Sequence, residues 1–219
     1  MNFINTNCPL SCKTPFLILF FITSFVPGAF AESMKEDNVH VRKWNQFAND
    51  LHGLHKKQIA NKKIKVKSKK GGYANNKEFY LEKEHFDEHG KLLSRIAWEV
   101  ENPDKIHVIE IFVYNDSGNV VRDYSAAFLP QYRNAPVQTL ISLHQYNKGL
   151  HAFRSFDASG DKILERCEGK YNGKEISFML DEDELYELTG DENGLMYSQD
   201  YKTCFNGLQE TVGKYLTPQ

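Results

Sequence analysis

Three times in the middle of this chain an aromatic residue is followed by Asp or Asn, two free positions, a Gly and then aliphatic residues. The copies are Phe86-Asp-Glu-His-Gly90, Tyr114-Asn-Asp-Ser-Gly118 and Phe156-Asp-Ala-Ser-Gly160. Asp or Asn at the first turn position accepts hydrogen bonds from its own backbone, and Gly three residues later takes a positive φ without steric cost. Each copy therefore predicts the turn of a β-hairpin, and Tyr171-Asn172-Gly173-Lys174 predicts a fourth. The flanks agree with this. Leu92, Ile96, Trp98 and Val100 fall on one face of an extended segment, Ile106 to Val113 is apolar on both faces and reads as a central strand, and Ile176, Phe178 and Leu180 alternate beyond the fourth turn.

Helical patterning flanks the hairpins. Trp44, Phe47, Ala48, Leu51 and His55 recur at helical spacing before a lysine-rich stretch in which Ile64 and Val66 alternate with Lys65 and Lys67. That stretch reads as an edge strand guarded by Lys against unwanted pairing. Pro136 is suited to the first turn of a mid-chain helix with Val137, Leu140, Ile141 and His144 in one stripe, ended by Asn147 to Gly149. A C-terminal helix would set Tyr201, Cys204, Phe205, Leu208 and Val212 on one face. The expected fold class is α+β: a curved antiparallel sheet of successive β-hairpins, with an N-terminal, a mid-chain and a C-terminal helix packed on one side.

Residues 1–31 read as a cleaved secretory signal peptide and residues 32–219 as a single globular domain. A polar start with only Lys13 charged leads into the apolar run Phe16–Val26, then Pro27-Gly28 and the small-residue site Ala29-Phe30-Ala31. As a helix that run spans about 16 Å, too short for a bilayer core, so no transmembrane span is expected after cleavage. Cys8 and Cys12 leave with the signal, and Cys167 and Cys204 remain in a chain bound for an oxidising compartment, where they are expected to form a disulfide. The mature charge of about −3 exerts no general attraction for nucleic acid, and none is expected as a partner. Its distribution is uneven: Lys56 to Lys70 holds eight Lys and no acid, and Asp181 to Glu192 holds seven acids and no base. These runs read as solvated surfaces, or the first as a basic handle for an acidic partner or an anionic surface.

Local catalytic signatures are missing from the sequence. There is no Gly-x-Ser-x-Gly elbow, His-Glu-x-x-His, phosphate loop, dinucleotide fingerprint or haem-attachment motif, and no cofactor or metal is implied. His52 and His55, and the crowd of Glu82, Glu84, His85, Asp87, Glu88 and His89, are read as surface and packing residues rather than metal ligands. The block Tyr124–Phe156 stands out, because its 33 residues contain no Asp or Glu in a chain that is 26% charged. Arg133, His144, Lys148, His151 and Arg154 lie in it among Tyr132, Tyr146 and other aromatics, a composition suited to holding an anion. The expectation is that Arg133, His144 and Arg154 converge on one side of the sheet with Tyr132, Tyr146 and His151 beside them. The leading functional reading is an exported, non-catalytic module that binds a protein partner or serves envelope assembly. A binder of a small anion or peptide carboxylate through this block comes second, and a hydrolase without a local motif third.

Overall fold

The structure, a computed structural model, describes residues 39–129, 135–188 and 194–212. The expected signal segment lies outside the described residues.

A single antiparallel sheet dominates, with its nine strands in sequence order: β1 (Lys65–Tyr73), β2 (Asn76–Phe86), β3 (Leu92–Glu99), β4 (Ile106–Tyr114), β5 (Val120–Ala127), β6 (Gln138–Asn147), β7 (Leu150–Phe156), β8 (Lys162–Tyr171) and β9 (Lys174–Asp181). The sheet is a meander that does not close, so β1 and β9 are its two edges. Helix α1 (Val39–Ile59) precedes it, and α2 (Glu182–Glu187), a 3₁₀ turn at Leu195–Tyr197 and α3 (Gln199–Phe205) follow it. The α+β class with flanking helices is as the sequence implied.

The repeated turns share one hydrogen-bond pattern. The amide of each Gly donates to the carbonyl of the residue three before it (Gly90 to Asp87, Gly118 to Asn115, Gly160 to Asp157) at 2.9 to 3.1 Å. The Asp87, Asn115 and Asp157 side chains each accept the amide four residues on, at 2.8 to 3.0 Å. Gly90, Gly118 and Gly160 hold φ of 83°, 83° and 95°. Beside each turn the ladder slips by one residue, placing Phe86, Tyr114 and Phe156 at bulges. A type I turn closed by a left-handed Gly produces this bulge, and the extra residue strengthens the local twist.

Alternation separates the two faces of the sheet. Ile96, Ile109, Ile111, Tyr124, Ile141, Leu143, Phe156 and Cys167 are buried on the face covered by helices. Helix α1 packs across β3 to β6, with Phe47 edge-on to Tyr124 at 6.4 Å and His55 Nδ1 2.8 Å from the Ser94 hydroxyl. Val41, Phe47, Ala48, Leu51 and His55 form its buried stripe, while Lys56 and Lys57 sit in its last turn, where the helix dipole favours cations. Helix α3 covers β7 and is joined to β8 by the Cys167–Cys204 disulfide, Cα atoms 6.0 Å apart. Helix α2 opens with a capping box between Asp181 and Glu184 and adds Leu185 to the same core.

The sequence-based helix between Pro136 and Gly149 is instead strand β6 and its turn. Its apolar residues fit a helical stripe, but Thr139, Ile141 and Leu143 also alternate, and all three are buried between β5 and β7. Lys148 and Gly149, at φ of 51° and 85°, form a two-residue hairpin turn where a helix end was expected. The short helix after the meander is α2.

Candidate functional site

The anion-site residues expected to converge are divided by the sheet. Leu143 pairs with Arg154 across β6–β7, so His144, the next residue along β6, faces the other way. Arg133 and Tyr132 lie outside the described residues.

Arg154 lies on the helix-covered face with 2% of its surface exposed. Its Nε donates to Glu165 Oε1 at 2.6 Å and one terminal nitrogen donates to the Leu208 carbonyl at 2.6 Å. The Tyr201 hydroxyl donates to Glu165 Oε2 at 2.5 Å, and Lys162 Nζ reaches Oε1 at 2.7 Å. Burial alone pushes the Glu165 carboxyl up, but hydrogen bonds from Lys162, Tyr201 and Arg154 win and hold it below its ordinary value. Burial, then the bond to Glu165, pushes the Tyr201 phenol up. A carboxylate from outside the acid-free block, eleven residues along the chain from Arg154, thus partners it from the adjacent strand.

His144, His151 and Tyr146 do come together, on the face away from the helices. His144 Nε2 is 2.6 Å from Asp123 Oδ2 and its Nδ1 is 3.0 Å from His151 Nε2. Tyr146 stacks flat on the His151 ring at 4.4 Å, and Phe153 stands 5.3 Å from His144. With Asp123 ionised, the neutral arrangement that satisfies both contacts has His144 donating from Nε2 and accepting at Nδ1 from His151. Burial first, then the neighbouring His144 and Arg166, push the His151 imidazole below its ordinary value, with Glu168 opposing. Elsewhere on this face charges also find partners: Arg95 meets Glu110 at 2.7 Å and Glu84 at 3.4 Å, and Lys69 meets Glu82 at 2.9 Å.

Two features remain less neutralised. The first is the lysine run. Lys56 and Lys57 end α1, Lys62 and Lys63 follow it, and Lys65 and Lys67 lie on the edge strand β1, all exposed. Among the described residues none of these six makes an ion pair, whereas Lys69 and Lys70 pair with Glu82 and Glu78. The acidic run begins on β9 and α2, at the opposite end of the strand order, where Glu182, Asp183 and Glu184 occupy the first turn of α2.

The second feature is a cleft of about 660 Å³ between α3 and the β6–β7 turn. Lys148 and Lys202 stand at its sides, Tyr171, Met196 and Tyr197 supply apolar surface, and Arg154 contributes to its wall. Composition pointed to Arg154 and to the block that holds Lys148, but not to Lys202 or Tyr197, which lie some fifty residues further on. Lys148 was legible as one cation of the acid-free block, at a place read as a helix end and not as a hairpin turn.

The fold defines an open antiparallel meander with its helices on one face. Comparison with protein-family models, curated proteins and solved structures finds no match for this chain. Among the described residues no group of three or more His, Cys, Asp or Glu is placed to hold a metal, and no helix is long and apolar enough to cross a membrane.

Proposed function

We propose that this protein is an exported, non-catalytic binding module that takes an acidic protein partner at its basic end. The observation that carries the reading is the set of six exposed lysines, from the end of α1 to β1, that make no ion pair among the described residues. An edge strand offers unpaired backbone donors and acceptors, and an added strand from a partner would satisfy them. Repulsion between rows of Lys disfavours pairing two β1 edges with each other, while carboxylates on an incoming strand relieve it. Export is supported by the order of polar, apolar and small residues in 1–31, and the Cys167–Cys204 bond suits an oxidising compartment.

Photo-crosslinking from position 66 in the exported fraction tests this reading. Val66 lies among the lysines and is 48% exposed. The expected result is a crosslink to one acidic protein, weakened by salt and lost when Lys62, Lys63, Lys65 and Lys67 are changed to Glu. A crosslink that survives those changes would overturn the reading. So would binding to vesicles of anionic lipid with no protein crosslinked.

A further inference from the structure

We propose that the cleft beside α3 binds a small amphipathic anion, an aromatic or acyl molecule with a carboxylate, sulfonate or phosphate head. Three observations lead there independently of the basic edge.

The first is shape. The cleft, about 660 Å³, lies between parts of the chain held in fixed relation. The disulfide from Cys204 to Cys167 anchors α3 to β8, and Gln145 Nε2 donates to the Asn206 carbonyl at 3.0 Å, tying the end of α3 to β6. A volume of this order accommodates a small organic molecule.

The second is charge. Arg154, which lines the cleft, shares the single carboxylate of Glu165 with Lys162, so this three-residue cluster carries one positive charge in excess. Lys148 and Lys202 line it and, among the described residues, make no ion pair, and Glu210 is the one carboxylate among its described lining residues. Cationic groups beside a low-dielectric wall draw an anion more strongly than the same groups on an open surface.

The third is the mixture of lining chemistry. The Lys148 ammonium stands 5.8 Å above the Tyr171 ring, and Tyr197 is 48% exposed on the 3₁₀ turn next to Met196. A bare inorganic anion makes no use of these groups. A ring or short acyl chain would cover Tyr197 and Met196 while its head met the two ammoniums, and a polarizable thioether adapts to either. Arg154 is assigned to holding the wall and not to the ligand, because it is 2% exposed and each of its three nitrogens already donates, to Glu165, Leu208 and Tyr201.

The test uses the fluorescent aromatic sulfonate 1-anilinonaphthalene-8-sulfonate with the folded, disulfide-bonded protein. The expected result is saturable binding at one site, displaced by decanoate and not by decanol or inorganic phosphate. Lys148→Glu together with Lys202→Glu should weaken the probe at least tenfold with the unfolding midpoint kept near that of the parent. Lys148→Gln with Lys202→Gln, a milder pair, should give an intermediate loss. Glu substitution of Lys62, Lys63, Lys65 and Lys67 should leave probe affinity unchanged, which separates this site from the partner surface. Absence of saturable binding, equal affinity in the cleft variants, or loss of binding in the edge variant would each overturn the proposal. Displacement by decanol as strong as by decanoate would remove the anionic head from it, and displacement by phosphate alone would remove the apolar body; either result overturns the ligand class.

Discussion

Arg154 and Glu165 face each other directly across the β7–β8 ladder, Nε to Oε1 2.6 Å, with 2% and 0% of their side-chain surfaces exposed. Tyr201 closes over the pair from α3, and the Phe205 ring lies 4.8 Å from the guanidinium carbon. A buried pair of this kind is strongly destabilising to break because the survivor is left charged in a dry site. Arg154→Met is expected to cost about 3–5 kcal/mol in urea unfolding. Glu165→Gln should cost a similar amount, since the loss of charge strands both Arg154 and Lys162. The double variant should cost clearly less than the sum. Additive losses would show that the two residues do not act as a unit.

The Cys167–Cys204 bond fastens α3 over the same network. Alkylation of the denatured, non-reduced exported protein should find no free thiol. Cys204→Ser is expected to destabilise by up to about 4 kcal/mol in the chain-entropy model for a loop of this length. Two reactive thiols in the native protein would contradict the pairing.

Acid should loosen the seat of α1. Burial first, then the neighbouring His85, His52 and Lys56, push the His55 imidazole down to about 4. His85 is also lowered, chiefly by burial and against a bond to the Ser94 backbone, and His52 by burial and Lys56. A lowered folded pKa means that the unfolded chain takes up the proton first as pH falls. This contribution is complete above the ordinary value of 6.5 and is lost as pH drops toward 4. For His55 the loss amounts to at most about 3 kcal/mol. Unfolding free energies measured from pH 7 to 4 should show this slope, and His55→Gln should flatten it. A slope unchanged by His55→Gln would contradict the assignment.

At Gly118 the left-handed φ of 83° sets the cost, because an added Cβ would meet only the flexible end of Lys91, at 3.5 Å. Gly118→Ala is expected to destabilise by about 1–2 kcal/mol, more than Ala gains by stiffening the unfolded chain. Gly118→Asn should recover part of this loss, since Asn tolerates that conformation. An Ala variant as stable as the parent would contradict the turn assignment.

Processing should leave Glu32 as the first residue. Intact mass of exported protein checks this, and a membrane-held species that retains Phe16–Val26 would contradict the signal reading.

Features whose causes are local could be read along the chain. The three Asp- or Asn-x-x-Gly turns carry their own hydrogen bonds and φ requirement and Asn172-Gly173 marks a fourth turn, so four hairpins, and with them the antiparallel sheet, followed from short stretches. Helix α1 announced itself through a stripe of apolar residues, and the two cysteines through their small number. Tertiary structure decided the rest. Val137, Leu140, Ile141 and His144 match a helical stripe, but the ladders to β5 and β7 select the extended form and bury Thr139, Ile141 and Leu143 together. That choice also sends successive side chains to opposite faces, separating His144 from Arg154. It brings Glu165 to Arg154 from β8 and Asp123 to His144 from β5. An absence of acids over 33 residues of sequence therefore did not leave these cations unpaired, because a sheet chooses side-chain neighbours across strands and not along them.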